Sequence, residues 1–198
     1  MSVHERTRSR YYIIMTNSTK KPKFIVRVAT TEDITDCNQL DSTNQTDYVW
    51  QMRFHTDDHS AQIKFDKIRL PRTMTITYPY NPDTIGIMLN SCDYLLVASY
   101  QDEIIGFISG MLERWREACV ITNLVVHEQT RHKRIGRALL RAMKRIALEN
   151  TCQQLTTTVQ TKNYPAIAFF KKQGFTYCGY NDQYYQNGDI GIIFSLVL

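Results

Sequence analysis

Several residue types that would announce a particular architecture are scarce in this chain. Its five cysteines (Cys37, Cys92, Cys119, Cys152 and Cys178) are scattered through 198 residues with no paired spacing. That argues against a zinc site and against a disulfide framework, and it fits a reducing, cytoplasmic setting. The five histidines (His4, His55, His59, His127 and His132) include no two at helical ligand spacing beside a carboxylate, so no metal is expected. Apolar runs are short. Tyr94–Ala98 falls far below the roughly 20 residues of a membrane span. Tyr11–Met15, behind Arg6, Arg8 and Arg10, is too short for a signal-peptide core. Neither membrane attachment nor a leader is expected, and no internal repeat is visible.

What is present is globular: 43% hydrophobic, 11% aromatic and 22% charged residues. A chain of this length suits one domain that buries roughly 70% of its unfolded surface. The net charge of +5 and pI near 8.9 fit nucleic acid, but a local anion site would give the same bias. Residues 1–22 read as a polar lead-in and 23–198 as the domain. Phe24–Ala29 reads as a strand, followed by a helix start at Thr30–Asp33 ahead of Ile34, Cys37 and Leu40. Between Asp41 and Tyr80 the pattern is weaker. Tyr48, Trp50, Met52 and Phe54 share one strand face, Ile63 and Phe65 another, with Pro71, Pro79 and Pro82 as punctuation.

From Asp93 the pattern sharpens. Tyr94–Tyr100, a turn at Gln101–Glu103 and Ile104–Leu112 predict a hairpin. Ala118–Val126 predicts a strand buried on both faces. Ile135, Leu139, Leu140, Met143 and Ala147 form the stripe of a helix that turns Arg137, Arg141, Lys144 and Arg145 outward. Leu155–Gln160 predicts a strand, Asn163-Tyr164-Pro165 a helix start, and Gly174 its end. Phe175–Gly179 and Ile190–Leu198 close the chain as strands. The final run suits a core strand, or a sheet edge for self-association. The order predicts a mixed α/β fold with one sheet layer and helices on its faces.

The most informative segment is Leu124-Val125-Val126, a short loop, then Arg131-His132-Lys133-Arg134-Ile135-Gly136-Arg137. A strand, tight loop and helix start direct several unpaired backbone N–H groups at one spot, where the helix dipole is positive. Gly136 removes a side chain from that approach, and Arg131, Lys133, Arg134 and Arg137 supply cations. The pattern suits a pyrophosphate, although the spaced glycines and Gly-Lys-Ser/Thr of a P-loop are absent. A solvated basic face is the plainer alternative. Nucleic-acid reading is not expected, because a Lys/Arg run supplies phosphate contacts without base readout.

This segment resembles the acetyl-CoA motif of the GNAT superfamily of N-acetyltransferases, Arg/Gln-x-x-Gly-x-Gly/Ala, with Arg134 where the first glycine belongs. Asn163-x-x-Ala166-x-x-x-Phe170-x-x-x-Gly174-Phe175 resembles the superfamily's second signature, Asn-x-x-Ala-x-x-x-Tyr-x-x-x-Gly-Phe, with phenylalanine in the tyrosine's place. Leu40–Trp50, Gly174–Gly179 and Tyr184 are similar to streptothricin acetyltransferases. The resemblance implies a GNAT fold: a single, mostly antiparallel sheet flanked by helices on both faces.

It further implies acetyl-CoA as co-substrate and a primary amine of a small cationic molecule as acceptor, a streptothricin-type antibiotic foremost. The main chain of Leu124, Val125 and Val126 would line the pantetheine arm, and the amides from His132 to Arg137 would hold the pyrophosphate. Asn163 would approach the arm with its side-chain amide, or serve only as a helix cap. Phe170 has no proton to give a departing thiolate, so the catalytic acid and base are unassigned. Tyr164, Tyr177, Tyr184, Tyr185, Glu113 and Glu117 are weak candidates. Asp41, Asp47, Tyr48 and Trp50 are of the types a cationic acceptor would want, whereas Asp57-Asp58 reads as a turn. Acetylation of a protein N-terminus or lysine, and a CoA-binding module with little transferase activity, are the alternatives. Monomer and homodimer both fit.

Overall fold

The computed structural model describes residues 24–77, 79–80 and 82–198; the lead-in read over residues 1–22 lies outside them. In chain order the elements are β1 (Ile25–Val28), α1 (Asp33–Gln39), β2 (Asn44–Thr56), β3 (Ala61–Ile76), α2 (Pro82–Ser91), β4 (Tyr94–Tyr100) and β5 (Glu103–Glu113). There follow β6 (Ala118–Val126), α3 (Ile135–Glu149), β7 (Gln154–Gln160), α4 (Tyr164–Lys172), β8 (Thr176–Asn181) and β9 (Gly191–Val197). Among the described residues the fold is mixed α/β, with mostly antiparallel strands and four α-helices. Contacts divide the described chain into two compact units, 24–42 with 82–155 and 197–198, and 43–80 with 156–196.

In the first unit the strands run β1-β4-β5-β6, each pair antiparallel. Gln101 and Asp102 both adopt left-handed φ (51° and 65°), the backbone of a two-residue turn that matches strand twist, and they close β4 onto β5 where the sequence predicts. β5 is buried without interruption from Ile104 to Gly110, which requires cover on both faces. Every predicted stripe residue of α3 (Ile135, Leu139, Leu140, Met143 and Ala147) is buried. Met143 packs at Gly110, where an added Cβ would lie 3.0 Å from its sulfur. α3 ends with Thr151 at φ 61° and the Cys152 N–H on the Ala147 carbonyl oxygen at 2.9 Å, a capping geometry that usually employs glycine. Asp33, in the first turn of α1, is held by two Arg27 hydrogen bonds of 2.6 and 2.8 Å.

The second unit contains a two-stranded sheet, β2–β3, separate from the pairing of β7, β9 and β8, so the single sheet that the sequence implies is accompanied by another. Pro71 does not interrupt β3. Between the pairs Thr46–Met74 and Tyr48–Arg69, residues 70–73 stand opposite Asp47 alone, and that bulge frees Pro71 from the ladder. β9 lies between β7 and β8, an interior strand and not the edge its apolar run also allowed. The sequence pattern does not reveal α2: Pro79 before it and Pro82 at its first position mask a helix whose buried apolar side chains are Ile85 and Leu89.

Candidate functional site

The strand–loop–helix of the first unit is built on two irregularities. In β5 the register slips between the pairs Ala98–Gly106 and Ser99–Ile104, leaving Ile105 without a partner on β4. Its carbonyl oxygen accepts instead from His127 N–H at 3.0 Å and from the Thr130 hydroxyl at 3.4 Å, fastening the start of the loop. In β6 the pairs Ser109–Asn123 and Gly110–Ile121 leave Thr122 as the extra residue. There the Ser109 and Thr122 hydroxyls are 2.7 Å apart and buried Asn123 donates to Ser109 at 2.8 Å. Such bulges re-aim the strand that carries them. Leu124, Val125 and Val126 follow at once.

Beyond β6 a 3-10 turn, Glu128–Thr130, leads into the loop. Arg131 donates from Nε to the Val126 carbonyl oxygen at 3.0 Å, so this cation ties the loop shut. His132 and Arg134 take left-handed φ, 63° and 69°. Alternation of this kind makes neighbouring backbone N–H groups converge into an anion-binding concavity. Arg134 is also the N-cap of α3, which receives no side-chain cap bond and has no acid in its first turn. The first turns of α1 and α2, by contrast, carry Asp33, Asp36 and Asp83. The Ala138 N–H reaches the Arg134 carbonyl oxygen at 3.0 Å; the amides before it are the ones a helix start leaves to other partners. Lys133, Arg134 and Arg137 are exposed around them. Converging donors, a positive dipole end, several cations and a first helical turn without an acid fit a pyrophosphate.

Gly106 lets α3 sit here. A Cβ on it would lie 2.8 Å from the Val125 carbonyl oxygen and 3.4 Å from Ile135, so the helix start rests against bare backbone. Register places Glu113 elsewhere: Gly106 pairs with Val126, and Glu113 with Ala118, at the other end of the strands. Six residues from Ala118 to Leu124 span about 20 Å. Glu113 bonds Arg116, and Glu117 sits beside them at the same end. Asp41 is exposed just after α1.

In the second unit Asn163 caps α4, its Oδ1 accepting from Ala166 N–H at 3.1 Å. Phe170 is 4% exposed and edge-on to Phe169 and Phe175, with centroids 5.3 and 5.2 Å away: a core side chain. Burial raises the pKa of the Tyr177 hydroxyl, and Tyr177 meets Phe65 edge-on at 5.6 Å. Buried Tyr185 donates to the Thr158 carbonyl oxygen at 3.2 Å. Asp47 accepts from the Thr73 hydroxyl at 2.6 Å, whereas Asp57 takes the Ser60 and His59 amides of the β2–β3 turn. Trp50 stacks on Phe65 at 6.0 Å, with Lys171 5.1 Å from its ring centroid. Tyr48, Lys67 and Tyr164 form a cluster that periodicity does not reveal, because it depends on the β2–β3 register and on α4.

Among the described residues no group of three or more His, Cys, Asp or Glu is placed to hold a metal, and no helix is long and apolar enough to cross a membrane.

Residues 48–175 match the model of the acetyltransferase (GNAT) family. A streptothricin acetyltransferase from Streptomyces lavendulae is 31% identical over 84 residues, 42% of this chain. The chain thus spans less than half, 44%, of that relative. A crystal structure of nourseothricin acetyltransferase superposes with a TM-score of 0.76 at 21% identity, covering 88% of this chain and 98% of that one. Ard1 from Thermoplasma volcanium gives 0.64 at 19%, covering 88% and 97%. At these identities the structures establish the shared fold alone.

Proposed function

This chain belongs to the acetyltransferase (GNAT) family, and from that premise we propose that it is an acetyl-CoA-dependent N-acetyltransferase. Its acceptor is a primary amine on a small cationic molecule, a streptothricin-type antibiotic foremost, and residues 23–198 are the transferase domain. The observation that carries the reading is the start of α3: an uncapped, acid-free, cation-ringed helix N-terminus behind two left-handed residues. The partial likeness to a streptothricin acetyltransferase supports the acceptor class.

Acetyl-CoA, when bound, supplies an acyl group activated as a thioester. The amides from His132 to Arg137 take the pyrophosphate charge, and Lys133, Arg134 and Arg137 add to it. Arg131 holds the loop in shape through Val126. The main chain of Leu124, Val125 and Val126 lines the pantetheine arm and offers a hydrogen-bond donor where oxyanion charge develops. Positioning of the amine against the thioester adds to this stabilisation. Phe170 gives no proton, and a thiol of ordinary pKa, near 8.5, leaves tolerably as the thiolate. Asn163 caps α4 through its oxygen, and its amide nitrogen is the group proposed for a cofactor contact.

A second reading rests on Phe170: with a buried phenylalanine in place of the tyrosine, the chain is a CoA-binding module that transfers slowly. Thiol release distinguishes the two. The protein is incubated with acetyl-CoA and, separately, streptothricin, aminoglycosides, polyamines, free lysine and N-terminal peptides. Release that depends on a cationic small molecule supports the transferase. A melting temperature raised by acetyl-CoA, with no release for any amine, supports the module.

A further inference from the structure

In the second unit, one face of the β2–β3 ribbon is aromatic, and it holds an ammonium group of the chain's own. Lys67 Nζ lies 3.9 Å from the Tyr48 ring centroid and 4.4 Å from that of Tyr164. The two rings are 5.5 Å apart and tilted by 52°, so they form a two-walled notch. Tyr48 comes from β2. Tyr164 is the first residue of α4, set by the Asn163 cap and Pro165. Lys67 reaches the notch from β3, where it pairs with Trp50.

A surface lysine ordinarily keeps its ammonium in water or against a carboxylate. Lys67 makes no ion pair among the described residues; nearby Asp66 is taken by Arg53 and Lys64 at 3.0 Å each. The N-terminal end of α4 is the positive end of its dipole and opposes a cation there. Ring faces therefore supply the attraction, which is weak at an exposed site. A cation held this way is replaceable by another of the same chemistry.

We infer that the Tyr48–Tyr164 notch is an ammonium-recognition subsite for the acceptor, and that Lys67 is its resident occupant, which an incoming alkylammonium displaces. This deepens the transferase reading and rests on it for the acceptor's identity. Lys67 lowers the apparent affinity of any cation by the fraction of time it fills the notch. Two exposed cation–ring contacts imply that its removal tightens binding about five- to tenfold.

The test uses the whole chain carrying ring-labelled tyrosine, with cadaverine as probe and NMR as readout, so that binding is read without catalysis. Expected are shifts of the Tyr48 and Tyr164 ring signals, with five- to tenfold tighter binding in Lys67→Met and in its polar counterpart Lys67→Gln. Lys67→Arg, which restores a cation, binds like the wild type. Adding Tyr164→Leu to Lys67→Met removes the gain. In turnover, Lys67→Met lowers KM for the acceptor and leaves KM for acetyl-CoA unchanged. Unmoved ring signals, or equal affinity with and without Lys67, overturn the subsite even where transfer proceeds. If no acceptor is acetylated, the transferase reading falls, and the NMR arm still decides the notch.

Discussion

Gly106 is the point at which packing and the candidate cofactor site meet. Gly106→Ala places a methyl group 2.8 Å from the Val125 carbonyl oxygen, 3.3 Å from the Val126 Cα and 3.4 Å from Ile135. Two of the three neighbours are backbone, on the strand that carries the proposed pantetheine contacts, so no rotamer change relieves the contact. β6 must bend away from β5, or α3 must lift at its start. Overpacking of this kind costs about 1–3 kcal/mol, a fall in Tm of roughly 2–12 °C for a chain of this size. The same shift should disturb the amides at the α3 start and so weaken acetyl-CoA binding at the proposed site. Gly179→Ala is the control, since its added Cβ meets nothing nearer than Ile193 at 3.8 Å. Urea unfolding followed by circular dichroism should separate the two substitutions by at least about 1 kcal/mol. A Gly106→Ala protein as stable as Gly179→Ala would mean that the contact with the Val125 carbonyl oxygen is not tight.

Gly136→Glu places a carboxylate among the amides proposed to hold pyrophosphate and should weaken acetyl-CoA binding at least about tenfold, about 1.4 kcal/mol; unchanged affinity by calorimetry in a folded variant would remove the cradle. Thr151→Gly relieves a β-branched residue held at φ 61° and should raise stability by about 0.5–1 kcal/mol, read as a higher urea midpoint. The Arg27 guanidinium, with help from the Thr30 amide, depresses the pKa of Asp33 despite its burial. Stability from a depressed carboxyl is present above the unfolded value near 3.9 and is lost as pH falls through the folded value. Asp33→Asn should therefore cost about 2 kcal/mol at pH 7 and lose less stability than the wild type between pH 5 and pH 2; parallel pH profiles would contradict this.

The elements that periodicity predicts are those with a long apolar stripe or an unbroken apolar run. α3 buries its whole stripe, and the β4–β5 hairpin turns at the polar residues between its two apolar runs. α2 escaped because proline punctuation outweighed a short amphipathic signal, and Pro71 misled because its bulge is a tertiary accommodation. The Arg134 mismatch acquires a physical reason: the position is left-handed, where glycine is easiest, and arginine bears the strain. At Asn163 the sequence allows both a cap and a cofactor contact, and the structure shows its oxygen as a cap. Ile105 and Gly106, which anchor the loop and seat the helix, have no local mark, since a strand bulge and a close approach are set by neighbouring strands. The Lys67 notch joins β2, β3 and α4, and only register brings them together.

Transfer to a cationic amine is read from the mass of the acceptor. Streptothricin incubated with the protein and acetyl-CoA should gain an acetyl group on an amine, much faster than N-terminal peptides or free lysine do. Acetyl-CoA bound by the protein, with streptothricin and every other amine recovered unmodified, would rule out the transferase.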